Sequence, residues 1–149
     1  MKSRLINTNP VIVIPVYNGR DSVLRLVSEI RGLIDCPIMV IDDGSTDGTR
    51  AEDFLEVAYL KHSENRGKGA ALKTGLNLAK DAGFDYAITL DADGQHDPNE
   101  ISNFLATARD NSGALVVGMR DLNTESMPFH RKLSNNITSL ILSLRTSLR

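Results

Sequence analysis

The sequence holds one cysteine, Cys36. A lone cysteine excludes an intramolecular disulfide and every multi-cysteine zinc pattern, and before Pro37 it reads as a packing residue. No run approaches the roughly 20 apolar residues of a membrane span. The first ten residues lack the apolar core of a secretory signal, so a reducing, cytoplasmic setting is the expectation. Neither sign of charge dominates: 17 basic and 19 acidic residues leave a net charge of −2, which gives no general pull toward nucleic acid. The nucleotide-binding signatures Gly-x-x-x-x-Gly-Lys-Ser/Thr and, after the first apolar run, Gly-x-Gly-x-x-Gly are both missing. That argues against a P-loop ATPase and a dinucleotide-dependent dehydrogenase. Internal repeats and low-complexity linkers are missing as well. One domain spanning residues 1–149 is expected, long enough for a true core.

What is present is an alternation of apolar runs and amphipathic stretches. Val11-Ile12-Val13-Ile14-Pro15-Val16 reads as a strand buried on both faces, with Pro15 ending its ladder. Tyr17-Asn18-Gly19 follows as a turn. A helix capped by Asp21 or Ser22 would bury Val23, Leu26, Val27, Ile30 and Ile34. Ile38-Met39-Val40-Ile41 is a second buried strand, and residues 49–55 a short helix. A weaker strand is expected over residues 57–60 and a small-residue helix over residues 70–82. Residues 86–90 make a fourth strand, and residues 98–109 a helix burying Ile101, Phe104, Leu105 and Ala108. A fifth strand is expected over residues 114–119, and a last amphipathic helix carries Ile137, Leu140, Ile141 and Leu144. This alternation predicts an α/β layer sandwich with a mostly parallel central sheet.

In such sheets ligands bind beyond the carboxyl ends of the strands. The polar motifs fall there: Tyr17 and Asn18 after the first strand, Asp42 and Asp43 after the second, Arg66 and Lys68 after the third. Asp91 and Asp93 follow the fourth, and Arg120 the fifth. Solvent-facing charges have no reason to choose one edge. Asp91 and Asp93, with Gln95 beyond, form an oxygen-rich set suited to Mg²⁺ or Mn²⁺ with positions open for phosphate. An Asp-x-Asp alone is weak evidence, since acidic turns are common. An EF-hand is excluded, because the sixth and twelfth positions from Asp91 are His96 and Ser102 rather than Gly and Glu. His96 is either a ligand or a hydrogen-bonded loop residue. Asp97 before Pro98 is a helix cap. Arg120 and Arg131 can fork onto phosphate oxygens, and Lys68 opens a helix where backbone N–H groups favour anions. Asp42 and Asp43 are better suited to accept N–H or hydroxyl donors from a base or ribose, unless they shape the turn at Gly44. The set as a whole predicts a nucleotide-diphosphate ligand.

Four motifs occur in order: Val13-Ile14-Pro15-Val16-Tyr17-Asn18, Val40-Ile41-Asp42-Asp43-Gly44-Ser45-Thr46-Asp47-Gly48-Thr49, Glu64-Asn65-Arg66-Gly67-Lys68-Gly69-Ala70-Ala71 and Leu90-Asp91-Ala92-Asp93-Gly94-Gln95-His96-Asp97-Pro98. Together they resemble the family 2 glycosyltransferases of GT-A fold, nearest to the dolichol-phosphate (polyprenyl-phosphate) mannosyltransferase branch. The resemblance covers roughly residues 11–145. It implies a Rossmann-like GT-A sandwich and metal-assisted, inverting sugar transfer from a nucleotide-diphosphate donor to a polyprenyl phosphate or glycan. By analogy Pro15, Tyr17 and Asn18 line the nucleotide pocket and Asp43 contacts the base. Asp91, Asp93 and Gln95 match metal ligands, with Asp91 and Asp93 the catalytic pair. Arg120 and Arg131 match donor-phosphate contacts. Members of the family continue well past the position of Leu144 with an acceptor-side segment, which residues 144–149 do not resemble. The alternative expectation is therefore a binding-only or inactive short form. A related nucleotidyltransferase is disfavoured, because Tyr17-Asn18-Gly19-Arg20 poorly matches its glycine- and lysine-rich loop. The helix over residues 135–144 would expose an apolar face, which suits self-association or a peripheral place at the inner membrane surface.

Overall fold

The computed structural model of the chain describes residues 9–94, 96–111 and 115–118. The chain divides into two units, Met1–Val116 and Val117–Arg149, and every element below belongs to the first. Four strands form one sheet: β1 (Pro10–Val16), β2 (Ile38–Asp42), β3 (Ala58–Lys61) and β4 (Tyr86–Thr89). Their order is β3-β2-β1-β4, and every pairing is parallel. The helices are α1 (Arg20–Leu33), α2 (Lys68–Asp81) and α3 (Ile101–Asp110), with 3₁₀ turns at Ala51–Asp53 and Pro98–Glu100. The predicted α/β sandwich with a mostly parallel sheet is the observed architecture.

Strand periodicity builds the layers. Side chains alternate between the two faces of a strand. In β1, Ile12, Ile14 and Val16 pack with Val23, Leu26 and Ile30 of α1 and with Ile101 and Leu105 of α3. Val11 and Val13 face the other way and pack with Ile41, Ala71 and Ala79. A strand covered on both sides must be apolar at every position, which is why β1 reads as an unbroken run. Small residues let α2 lie close against the sheet. A Cβ added at Gly75 would stand 2.4 Å from Val13 Cγ1 and 3.0 Å from Ile41 Cγ1.

Hydrogen bonding explains how β1 and β4 part. Backbone groups of successive residues in a parallel strand point to opposite neighbours. Ile12 N–H bonds to Pro37 on the β2 side, and Val13 C=O accepts from Leu90 N–H on the β4 side. Pro15, two residues on, would therefore next pair toward β4, where the register has already ended at Val13–Thr89. Its missing N–H removes no ladder bond, and the two chains are left to separate there.

Three local expectations need correction. Helix α1 starts at Arg20 with Gly19 as N-cap and no side-chain cap from Asp21 or Ser22. Instead the Asp47 carboxylate accepts from Arg20 N–H at 2.9 Å. The short helix over residues 49–55 is only the Ala51–Asp53 turn, held to α1 by a two-point ion pair from Arg20 to Asp53. Of the expected fifth strand, the described residues 115–118 form no strand, and Leu115 and Val117 are 90% and 70% exposed. An apolar run makes a strand only where an edge and a covering layer receive it, and among the described residues neither does. Asp97 does cap the turn at Pro98, accepting from Asn99 N–H at 3.0 Å. The expected last helix lies outside the described residues.

Candidate active site

The chain steps from β1 outward to β2 and β3, then returns to β1's other side as β4. Such a reversal opens a crevice at the carboxyl edge. A cleft of about 510 Å³ lies there. Pro15 of β1 and Tyr17 and Asn18 just beyond it line one side, and Asp91 and Asp93 line it from the loop after β4. Asp43, Asn65 and Lys68 complete its wall. Seven of the predicted site residues thus meet in one cavity. Gln95, Arg120 and Arg131 lie outside the described residues.

The two adjacent aspartates have separate roles. Asp42 is fully buried and stands apart from the cleft lining. Its carboxylate accepts from Ser45 N–H at 2.7 Å and Tyr59 O–H at 2.5 Å, with Lys61 Nζ 3.4 Å away. It is the one that shapes the turn at Gly44. Burial works most strongly against its ionisation, but the bonds from Ser45 and Tyr59, with Lys61, together hold it below the usual carboxylate range. Burial of Tyr59 and its bond to Asp42 raise the phenol.

Asp43 is 2% exposed and lines the cleft. It receives His62 Nδ1 at 2.7 Å, Gly67 N–H at 2.7 Å and Arg66 N–H at 3.1 Å. His62 is fixed on its other side by Thr74 Oγ1, 3.0 Å from Nε2. The β2–β3 register delivers this histidine. Asp42 pairs with Lys61, and His62 N–H then bonds to Asp42 C=O at 2.8 Å. Burial again opposes ionisation most, and the bonds from His62, Arg66 and Gly67 outweigh it, so Asp43 also lies below its ordinary range. The amides of Arg66 and Gly67 before α2 are thus taken by Asp43, leaving anion binding there to later groups.

Two further contacts make the loops one unit. Asn18, in the left-handed region at φ +49°, donates its N–H to Ser45 Oγ and accepts from Thr46 N–H at 2.8 Å. Asparagine tolerates that conformation better than most residues. Gly44, at φ +78°, lets the turn touch the loop before α2, since a Cβ there would sit 2.4 Å from the backbone carbon of Glu64. Sequence assigns no role to Ser45 or Asp47, which stand in the second motif, or to His62 and Thr74. The signal for the first two was the Ser45-Thr46-Asp47 run beside Gly44.

Asp42, Asp43 and Asp47 share one consequence. Burial opposes the ionisation of Asp47 too, but its bonds to Thr49 and Arg20 lower it overall. A carboxyl depressed in the folded chain stabilises that chain above its unfolded pKa. The contribution is lost as pH falls through the folded value. We expect the thermal midpoint to hold from neutrality to about pH 5 and to fall steeply below about pH 4, where free carboxyls near 3.9 protonate. Circular-dichroism melts across that range check this. The Asp42→Asn/Asp43→Asn double variant should show a flatter acid limb.

After β4, Lys68 Nζ contacts Asp91 Oδ2 at 2.5 Å across the cleft. Asp91 N–H donates to His96 Nδ1 at 3.0 Å, closing the loop. His96 thus holds its own loop through Nδ1. Among the described residues no three His, Cys, Asp or Glu side chains gather as a metal cage. Among the described residues, Asp91 and Asp93 bring carboxylate oxygens to the loop after β4. Hard oxygen donors of that kind fit Mg²⁺ or Mn²⁺, which keep waters and take substrate phosphates for the rest of their shell. No described helix is long and apolar enough to cross a membrane.

Comparison with known proteins agrees with this geometry. Residues 11–147 match the model of glycosyl transferase family 2. The UDP-N-acetylglucosamine–dolichyl-phosphate N-acetylglucosaminyltransferase of Methanococcus voltae is 31% identical over 89% of this chain and 61% of its own length. Polyprenol monophosphomannose synthase of Mycolicibacterium smegmatis is 35% identical over 74% of this chain and 44% of its own. An undecaprenyl-phosphate 4-deoxy-4-formamido-L-arabinose transferase of Proteus mirabilis is 33% identical over 87% and 42%. The chain thus spans at most about three-fifths of these relatives' lengths. With the parallel sheet, the cleft where β1 and β4 part and the aspartates after β4, the match over residues 11–147 makes this chain a member of glycosyl transferase family 2.

Proposed function

We propose that this chain binds a nucleotide-diphosphate sugar in the β1/β4 cleft and transfers the sugar, with inversion, to a polyprenyl phosphate. The observation that carries the reading is the meeting of Tyr17, Asn18 and Asp43 with Asp91, Asp93 and Lys68 around one cavity. Tyr17, half-exposed at the mouth, offers a ring for a base to lie against. Asp43 offers a fixed carboxylate edge. Asp91 and Asp93 would hold Mg²⁺ or Mn²⁺, which when bound supplies positive charge for a departing diphosphate. Gln95, Arg120 and Arg131 keep the roles the family resemblance gives them.

Three relatives carry three different sugars in their names, and each name includes a polyprenyl- or dolichyl-type lipid. That favours a lipid phosphate acceptor while leaving the sugar open. Chemistry favours it too. Inverting transfer to a sugar hydroxyl needs a general base, whereas a phosphate is already anionic at neutral pH. None of the residues at this edge then has to take a proton from the acceptor. Action on such a lipid places the work at a membrane surface, reached peripherally from the cytoplasmic side.

The competing reading is a module that binds the donor without turnover. Incubation with radiolabelled UDP- and GDP-sugars, polyprenyl phosphate and Mn²⁺ separates the two. Label moving into the organic phase supports transfer. Metal-dependent donor binding with no lipid-linked label over hours supports the module and overturns transfer.

A further inference from the structure

The Lys68–Asp91 pair has a consequence that depends on Asp91 being a metal ligand as proposed above. Lys68 is the first residue of α2, and its side chain is 60% exposed. Its ammonium occupies an oxygen of the carboxylate on which a divalent ion would sit. A metal alone brings a divalent and a monovalent cation onto one carboxylate, where they repel. A diphosphate arriving between them gives both cations a partner. We propose that Lys68 is a built-in competitor for the metal position, released from Asp91 to the donor diphosphate, so that metal and nucleotide bind as a cooperative pair. Such coupling is reciprocal: whatever factor the metal adds to nucleotide affinity, the nucleotide adds to metal affinity.

The test is Mn²⁺ binding to the full chain, followed by the free-ion paramagnetic resonance signal, first alone and then with UDP or GDP. Lys68→Gln removes the competing charge. It is expected to bind Mn²⁺ alone about three- to five-fold more tightly than the parent, the range open to an exposed ion pair. The mutual enhancement between metal and nucleotide should fall by about the same three- to five-fold. Lys68→Arg keeps the charge and should behave as the parent does. Asp91→Asn should bind Mn²⁺ less tightly than either. Unchanged or weaker Mn²⁺ binding by Lys68→Gln, while Asp91→Asn is weakened, overturns the competition and leaves the donor site standing. Unaltered Mn²⁺ binding by Asp91→Asn, or none by parent and Lys68→Gln alike, removes Asp91 as a ligand and overturns both proposals. Circular dichroism of each variant confirms that the fold is retained.

Discussion

Replacing Asp93 with alanine is expected to abolish the metal-dependent part of nucleotide-diphosphate affinity and to slow any sugar transfer by about 10²–10³-fold. The size follows from the task assigned to the ion. Stabilising charge on a departing diphosphate is worth several kcal/mol, and each 1.4 kcal/mol is a factor of ten. Asp93 is exposed on the loop after β4, so its loss should move the melting midpoint little. Exposed substitutions typically stay within about 0.5 kcal/mol. That contrast is the diagnostic: a large functional loss on an intact fold. Calorimetric titration of UDP and GDP with and without Mn²⁺, on parent and Asp93→Ala, measures it. A variant that retains the metal-dependent increment contradicts the assignment of Asp93.

Asp43→Ala should do the opposite and damage the fold as much as the site. The carboxylate gathers His62, Arg66 N–H and Gly67 N–H in a buried position. Removing it leaves several buried donors without an acceptor, each costing about 1–3 kcal/mol, for a total of about 3–5 kcal/mol. For a chain of this length that lowers the melting midpoint by on the order of 10 °C. Asp43→Asn keeps the shape but turns an amide N–H₂ toward one of those donors. An intermediate loss of about 2 kcal/mol is expected there. Urea titrations of the three proteins check the order. Equal stability of parent and Asp43→Ala would show that the network contributes nothing net, and Asp43 would then be a binding residue only.

The two aspartates at the end of β2 show what sequence can and cannot resolve. A strand delivering Asp42 and Asp43 to the sheet edge follows from the Ile38–Ile41 run. Which of them turns inward depends on Ser45, Tyr59 and Lys61, brought in by the β3 pairing and the Gly44 turn. His62 was hidden for the same reason: only the β2–β3 register sets it beside Asp43. The start of α1 was misjudged because its acceptor, Asp47, lies 27 residues away along the chain. The apolar runs of β1 and β2 were legible because burial on both faces leaves little room for polar positions. The expected strand over residues 114–119 carried a similar pattern. A run of apolar residues cannot by itself name the edge it would pair with.

Within the site, residues next to strand ends were legible, since a parallel sheet fixes where its loops must gather. Pro15, Tyr17, Asn18, Asp43, Lys68, Asp91 and Asp93 all line the cleft for that reason. The Lys68–Asp91 contact was not legible. It joins the start of α2 to the end of β4 across the gap, and nothing in either motif refers to the other.

The most direct test of the account is calorimetric titration of UDP and GDP into the folded chain, with Mn²⁺ or Mg²⁺ and with EDTA. One nucleotide series is expected to bind, the divalent ion to strengthen it by at least ten-fold, and Asp91→Asn to remove the strengthening. Absence of binding by either nucleotide, with or without the ion, to a chain whose circular dichroism shows it folded would contradict the donor site itself.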